Sequence, residues 1–115
     1  MTQNILLGLA LYLIGHIFAW YQFNSQFVFE WAKINIMLPV FILAVPMGFC
    51  FMYGTKLIMA DTNELWTTRL LGFGISYAVF PIMTWFYLNE SMFTTKTMIC
   101  CLLACIIMYI QLFWK

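Results

Sequence analysis

Charge is what this chain has least of. Among its 115 residues there are five Lys or Arg and four Asp or Glu, which is 8% of the sequence, while 65% of the residues are hydrophobic. Soluble domains carry about 25% charged residues. The polar side chains here are too few to cover the surface of a soluble domain. This composition indicates that a bilayer solvates much of the exterior.

The few charged residues divide the chain into uncharged segments, each close to the ~20 apolar residues that cross a bilayer core of about 30 Å. In hydrocarbon every backbone amide must be paired internally, and segments without polar and apolar alternation favour helices over a barrel. The sequence therefore predicts an all-α integral membrane protein with short loops, in which residues 1–115 form a single four-helix transmembrane domain. The predicted helices are Ile5–Phe23, Ile34–Thr55, Thr67–Leu88 and Thr97–Trp114.

The first apolar segment is a membrane span rather than a signal peptide, because no Lys or Arg precedes it and no clear small-residue cleavage site follows it. The turns predicted at Asn24–Lys33, Lys56–Arg69 and Asn89–Lys96 are too short for an extramembrane domain. Three positive residues would lie on the side of the termini and two on the other. This weakly favours termini inside the cell, and the near-balance also allows insertion in both orientations. We expect a multi-pass protein of the cell membrane, the bacterial inner membrane or its equivalent.

Groups that carry chemistry are scarce. The sequence has one histidine and no Cys-x-x-Cys spacing, and its four cysteines fall inside predicted spans, where they behave as small apolar residues. It has no nucleophile with its base, no paired carboxylates at depth and no phosphate-binding loop. We therefore expect no enzyme activity, no metal, no cofactor and no nucleic-acid partner.

His16 is the one candidate for a titratable functional group at membrane depth. It lies beside a stripe of the first span at helical spacing, whose small residues allow a neighbouring backbone to approach closely. An ionisable group in a span is a functional candidate by default, and the alternative is a neutral imidazole bonded to a carbonyl on another helix. The stripe consists of Gly8, Tyr12, Gly15, Ala19 and Gln22. The predicted ligand-binding residues are Tyr12, His16, Trp20, Ser76, Tyr77 and Trp85.

Prolines and small residues shape the later spans. Prolines inside helices free the carbonyl four residues earlier, which predicts free carbonyls at Asn35, Ile42 and Tyr77 from Pro39, Pro46 and Pro81. In the fourth span, small residues recur at the spacing of close helix pairs, which fits either an internal contact or the seam of a homodimer. We favour the seam, and so expect a homo-oligomer formed through the fourth span. Its stripe is Thr97, Cys101, Ala104 and Cys105.

Three stretches of the chain carry a family resemblance: Phe18–Tyr21, Val45–Pro46 and Phe86–Glu90. In their order and spacing, and in its length and short loops, the chain resembles the small multidrug-resistance type of the drug/metabolite transporter superfamily. It is closest to an uncharacterised four-helix branch. The resemblance implies a four-helix fold, a homodimer and transport.

One position departs from that pattern. Proton-coupled members keep a glutamate in the middle of the first helix, and Ile14 stands at or near its place here. A cationic substrate would lack its counter-charge. The expected ligand is therefore a small neutral or lipid-like molecule. The alternative is a pore-forming or accessory interaction protein, such as a holin-like oligomer or a subunit.

Overall fold

A computed structural model of the protein describes residues 2–91 and 93–114, and those residues form helices joined by short turns, without a β-strand. The helices are α1 (Gln3–Asn24), α2 (Glu30–Ile34), α3 (Leu38–Thr62), α4 (Leu65–Leu88) and α5 (Thr95–Phe113), and a 3₁₀ turn at Ser25–Phe27 follows α1. The predicted all-α fold is confirmed.

Four of these helices are long and apolar enough to cross a membrane: α1 with its 3₁₀ extension, α3, α4 and α5. Their most apolar windows have mean hydropathies between 1.4 and 2.0. Only 11% of the α3 window and 6% of the α5 window are buried inside the chain. Most apolar side chains on α3 and α5 therefore face outward, where hydrocarbon would solvate them. The predicted number of spans is confirmed, and α2 is an additional short helix in the first turn. The second span begins at Leu38 rather than Ile34 and ends at Thr62 rather than Thr55.

The two termini of the described chain lie at the same end of the bundle. The Thr2 hydroxyl, before α1, donates to the Asp61 carboxylate near the end of α3. The Thr67 hydroxyl, near the start of α4, lies 2.9 Å from Oε1 of Gln111 near the end of α5. We call this end, which also holds the α3–α4 turn, the termini end. The opposite end, beside α2, is the α2 end.

Asparagines, not charged residues, end the two central helices. Asn63 and Asn89 adopt left-handed backbone angles (φ 54° and 57°). Their backbone N–H groups donate hydrogen bonds to the Met59 and Trp85 carbonyls. Such left-handed caps are a common way to stop a helix. The predicted turn Lys56–Arg69 is consequently wrong. The α3–α4 turn is only residues 63–64, because long basic side chains can sit on a helix and extend their heads toward water.

The prolines act differently from one another. Pro39 lies in the first turn of α3, where backbone N–H groups make no hydrogen bond within the helix, so proline removes none. The Asn35 carbonyl accepts a hydrogen bond from the Leu38 backbone N–H at 3.2 Å. The predicted free carbonyl at Asn35 is therefore wrong. Pro81 does lie inside α4, and the Tyr77 carbonyl accepts from the Cys101 thiol of α5 across 3.7 Å. A thiol is a weak donor, so this contact partly replaces the amide that Pro81 lacks.

The small-residue stripe of α1 packs against α3 at very short range. A Cβ placed on Gly54 of α3 would lie 3.1 Å from the Gly8 carbonyl oxygen, and one on Gly8 would lie 3.0 Å from the Gly54 carbonyl oxygen. Because only hydrogens occupy these positions, the two backbones touch directly. Farther along, Gly15 accommodates the Phe51 ring in the same way.

Tyr12 extends this packing to a third helix. Its side chain is 4% exposed and forms a core with Ile58 of α3 and Leu71 of α4. The ring lies against Gly54 on one side and Gly72 of α4 on the other, where an added Cβ would be 2.8 Å and 3.6 Å away. Tyr12 therefore packs between α3 and α4, which contact each other very little directly.

Helix α5 packs on α4 alone among the main helix contacts. Ala104 is 4% exposed and lies beside Gly74, where an added Cβ would overlap the Met108 side chain. At Ala104, the predicted seam is therefore an internal contact between α5 and α4 of the same chain. Cys105 remains exposed, as do neighbouring large apolar side chains of α5.

We expect Gly54→Ala to lower the free energy of unfolding by about 1–3 kcal/mol, the usual cost of overpacking. The added methyl has no room, since both the Tyr12 ring and the Gly8 backbone occupy its place. Gly48→Ala is the matched control on the same helix, because nothing lies within 4 Å of its added Cβ. The measurement is unfolding in SDS followed by circular dichroism. Equal stability of the two variants would contradict the close approach of α1 and α3.

Candidate functional site

Three adjoining cavities form a cleft between α3 and α4, with α1 as its floor. Their volumes are about 620, 280 and 500 Å³ from the termini end toward the α2 end. We call them together the α3/α4 cleft. Because α3 and α4 are held apart by α1, the space between them is left unfilled. The cavity of about 500 Å³, nearest the α2 end, is lined by His16, Ala19, Trp20, Phe23, Asn24, Met47, Phe51, Arg69, Ser76, Val79 and Phe80.

His16 lies at the middle of this cleft. Its ring packs edge-on against Phe51 of α3, with centroids 4.9 Å apart, and it lines one cavity together with Gly72 of α4. The imidazole is half-buried and borders two of the three cavities. A neutral imidazole has one donor and one acceptor nitrogen. One nitrogen can serve the Gly72 carbonyl and the other a bound molecule, so the two interpretations of His16 are compatible in this geometry.

Trp20 forms the wall of the cleft toward the α2 end. It is 2% exposed, its indole Nε1 donates to the Thr84 hydroxyl at 3.0 Å, and its ring stacks on Tyr87 at 5.0 Å. The Tyr87 hydroxyl is in turn 2.6 Å from that of Tyr21. These contacts fasten the end of α1 to the end of α4. Trp20 therefore presents a rigid surface to a ligand.

Tyr12 and Thr55 supply hydroxyl groups near the termini end, 2.7 Å apart. Both line the cleft. Two hydroxyls that share one hydrogen bond keep one proton free, and that proton is available to a third group. Ser76, half-buried on α4, adds a hydroxyl deeper in the cleft.

Two of the predicted ligand-binding residues lie outside the cleft. Tyr77 and Trp85 are 53% and 46% exposed, and neither lines any of its three cavities. Helix geometry explains this result. At about 100° per residue, Tyr77 is turned well away from Ser76, and Trp85 points to the opposite face of α4.

Arg69 is the functional candidate that sequence reasoning did not identify. It lines all three cavities, and its guanidinium carbon lies 4.7 Å from the centroid of the Phe73 ring. It shares one stripe of α4 with Gly72, Phe73 and Ser76, so helical spacing contains the signal. Interpreting Arg69 as the boundary of a loop concealed it.

The cleft has polar groups at both ends and apolar walls between them. None of the carboxylates in the described part of the chain lines it. At the α2 end, Nδ2 of Asn24 is buried and has no hydrogen-bond partner among residues 2–91 and 93–114. This arrangement fits an elongated, mainly apolar molecule with a polar head.

We expect Thr84→Val to destabilise the protein by about 1–3 kcal/mol, because it leaves the buried indole N–H of Trp20 without an acceptor. Thr95→Val is the matched control, since Thr95 is exposed at the start of α5. Unfolding in SDS and the emission wavelength of tryptophan fluorescence check this expectation. If both variants unfold like the parent protein, the Trp20–Thr84 bond does not hold α1 to α4.

Comparisons of the chain with models of protein families, with curated proteins and with solved structures found no significant match. The family resemblance seen in the sequence therefore stays a prediction.

Proposed function

We propose that the protein binds a small neutral or lipid-like molecule in the α3/α4 cleft and moves it across the cell membrane, working as a homodimer. The observation that carries this proposal is an elongated cleft at membrane depth with apolar walls and polar groups at its two ends. Small-molecule sites are commonly concave and mostly apolar, with a few polar groups that fix orientation.

The lining residues favour this class of ligand over a cation. A cation taken out of water needs a counter-charge or the desolvation cost is not recovered. The cleft offers hydroxyls, an imidazole and a guanidinium in the described residues, and no carboxylate. Neutral polar heads can use the hydrogen-bonding groups, while an apolar body replaces lipid against Phe51, Val79 and Phe80.

The position of the cleft supports entry from the bilayer. It lies between α3 and α4, two spans that are joined by a two-residue turn and pack on each other very little. A molecule dissolved in the lipid can therefore reach the cleft sideways, without crossing an aqueous vestibule.

One feature supports the homodimer. Helix α5 leaves most of its apolar surface uncovered, including Leu102, Leu103 and Tyr109. Because Ala104 is already covered by α4, an interface on α5 would use its outer face, with Cys105, rather than the whole predicted stripe.

We expect Ala19→Trp to slow transfer several-fold, because Ala19 lines the cleft and an indole there fills the space that a ligand needs. Ala10→Trp adds the same side chain to an exposed position of α1 and should transfer at the parent rate. The measurement uses proteoliposomes that contain a fluorescent phosphatidylcholine analogue, with dithionite added outside to bleach the outer leaflet.

Release of an entrapped water-soluble dye is followed in the same vesicles. Transfer that saturates with the lipid analogue, is slowed by Ala19→Trp and leaves the dye inside supports the proposal. Dye release by the parent protein would instead identify a pore. Equal transfer by both tryptophan variants would contradict a route through the cleft.

A second substitution tests His16. We expect His16→Phe to keep the ring contact with Phe51 and the stability of the fold, and to lower transfer because the hydrogen-bonding nitrogens are lost. Unfolding in SDS measures the first effect and the dithionite assay the second. An unchanged transfer rate would leave His16 with a packing role only.

A further inference from the structure

Among residues 2–91 and 93–114, Arg69 is the one Lys or Arg that lines the α3/α4 cleft. Among the described residues, no carboxylate lies within 4.0 Å of it, since the single ion pair there joins Lys33 and Glu30. The two acids nearest along the chain have other partners. Asp61 accepts from Thr2 and Asn4, and Glu64 accepts from the Thr67 hydroxyl at 2.6 Å.

Arg69 is an exposed residue near the start of α4, toward the termini end of the bundle. Its guanidinium stacks over Phe73, and Arg69 is the fifth residue of α4, roughly 6 Å along the helix axis from its start. A charge at that depth can reach the level of the lipid head groups. Five N–H donors in a planar fork suit a carboxylate, phosphate or sulfate group.

Two hydroxyl groups line the same cavities as Arg69. They belong to Tyr12 and Thr55, and they keep one proton free to donate. Away from this end, the cleft continues between Phe51, Val79 and Phe80 toward Asn24. The termini end carries positive charge, the walls are mainly apolar, and an uncharged amide, that of Asn24, lies at the far end. This distribution complements an amphiphile with an anionic head.

We propose that the α3/α4 cleft takes an anionic amphiphile, with its head group on Arg69 and its acyl chain directed toward the α2 end. This inference rests on the proposed ligand site and specifies its chemistry. A free fatty acid and an anionic phospholipid share that chemistry, and the experiment separates them.

The test is equilibrium binding of radiolabelled stearate and methyl stearate to the purified full-length protein in micelles of a neutral detergent. The pH is about 9, where a carboxyl with an ordinary pKa of about 4 is ionised. The two probes have the same chain and differ in head-group charge. We expect the parent protein to bind stearate at least tenfold more tightly than the ester, the usual scale for a charge-assisted hydrogen bond.

Arg69→Gln should abolish this preference, by weakening stearate binding at least tenfold and methyl stearate binding much less. Lys56→Gln is the matched control, because Lys56 is a cation near the same end of the bundle but lines a separate cavity on the outer face of α3. It should keep the preference. Arg69→Lys retains the charge without the planar fork and should keep part of it. Added salt should weaken the preference of the parent protein for stearate, and this measurement requires no variant.

The possible outcomes contradict different parts of the proposal: the charge of the head group, its position on Arg69, or the ligand site in the cleft. Equal binding of the two probes by the parent protein would overturn the anionic head group while leaving a lipid-like ligand in the cleft. Loss of the preference in Lys56→Gln as much as in Arg69→Gln would show a general surface-charge effect and overturn the site. If neither probe binds saturably, the proposed ligand site itself is wrong.

Competition by phosphatidylglycerol separates the two sources of anion. If it displaces stearate from the parent protein, and not from Arg69→Gln, the site accepts a bilayer lipid. If it does not displace stearate, the site is specific for single-chain acids. Either result supports an anionic amphiphile on Arg69.

Discussion

The packing of one tyrosine ring between two glycines controls the arrangement of three spans. Tyr12 lies against Gly54 of α3 and Gly72 of α4, and the contact of Gly8 with Gly54 fixes how closely α1 approaches α3. In hydrocarbon the exclusion of water adds little to helix association, so close packing of this kind has to provide much of it. A larger residue at either glycine would move the ring, and with it the floor of the cleft.

The cleft follows from that arrangement. Tyr12 of α1 packs between α3 and α4, and the region above the His16 and Phe51 rings is left open. Trp20 closes it toward the α2 end through its bond to Thr84. Tyr12 and Trp20 therefore have both roles, since each packs α1 against its neighbours and each lines the cleft.

The sequence was sufficient for the spans and for the packing face of α1, because both depend on local periodicity. Gly8, Tyr12 and Gly15 are buried as their shared stripe predicts. It was not sufficient for the outer bounds of α3 and α4, where the left-handed Asn63 stops α3 and the charged residues do not. Trp20, His16 and Ser76 do meet in one cleft, but Tyr77 and Trp85 do not, since their position depends on which face of α4 meets α1.

The contribution of α3 was the least predictable part. Phe51 and Thr55 reach the cleft only because Gly54, between them, sets the rotation of α3 against α1. The spacing of residues within one helix does not show which other helix packs against it. The same reasoning applies to Ala104, whose small side chain is equally suited to a neighbour in the same chain and to a second copy.

The two-residue turn at residues 63–64 also constrains how the protein is assembled during synthesis. A turn this short brings α3 and α4 into the membrane as a hairpin, yet the two helices have little contact with which to stabilise each other. Their shared partner is α1, which the ribosome makes before either of them. Helix α1 therefore exposes Gly8, Tyr12 and Gly15 to lipid until the α3–α4 hairpin has inserted and packed against it.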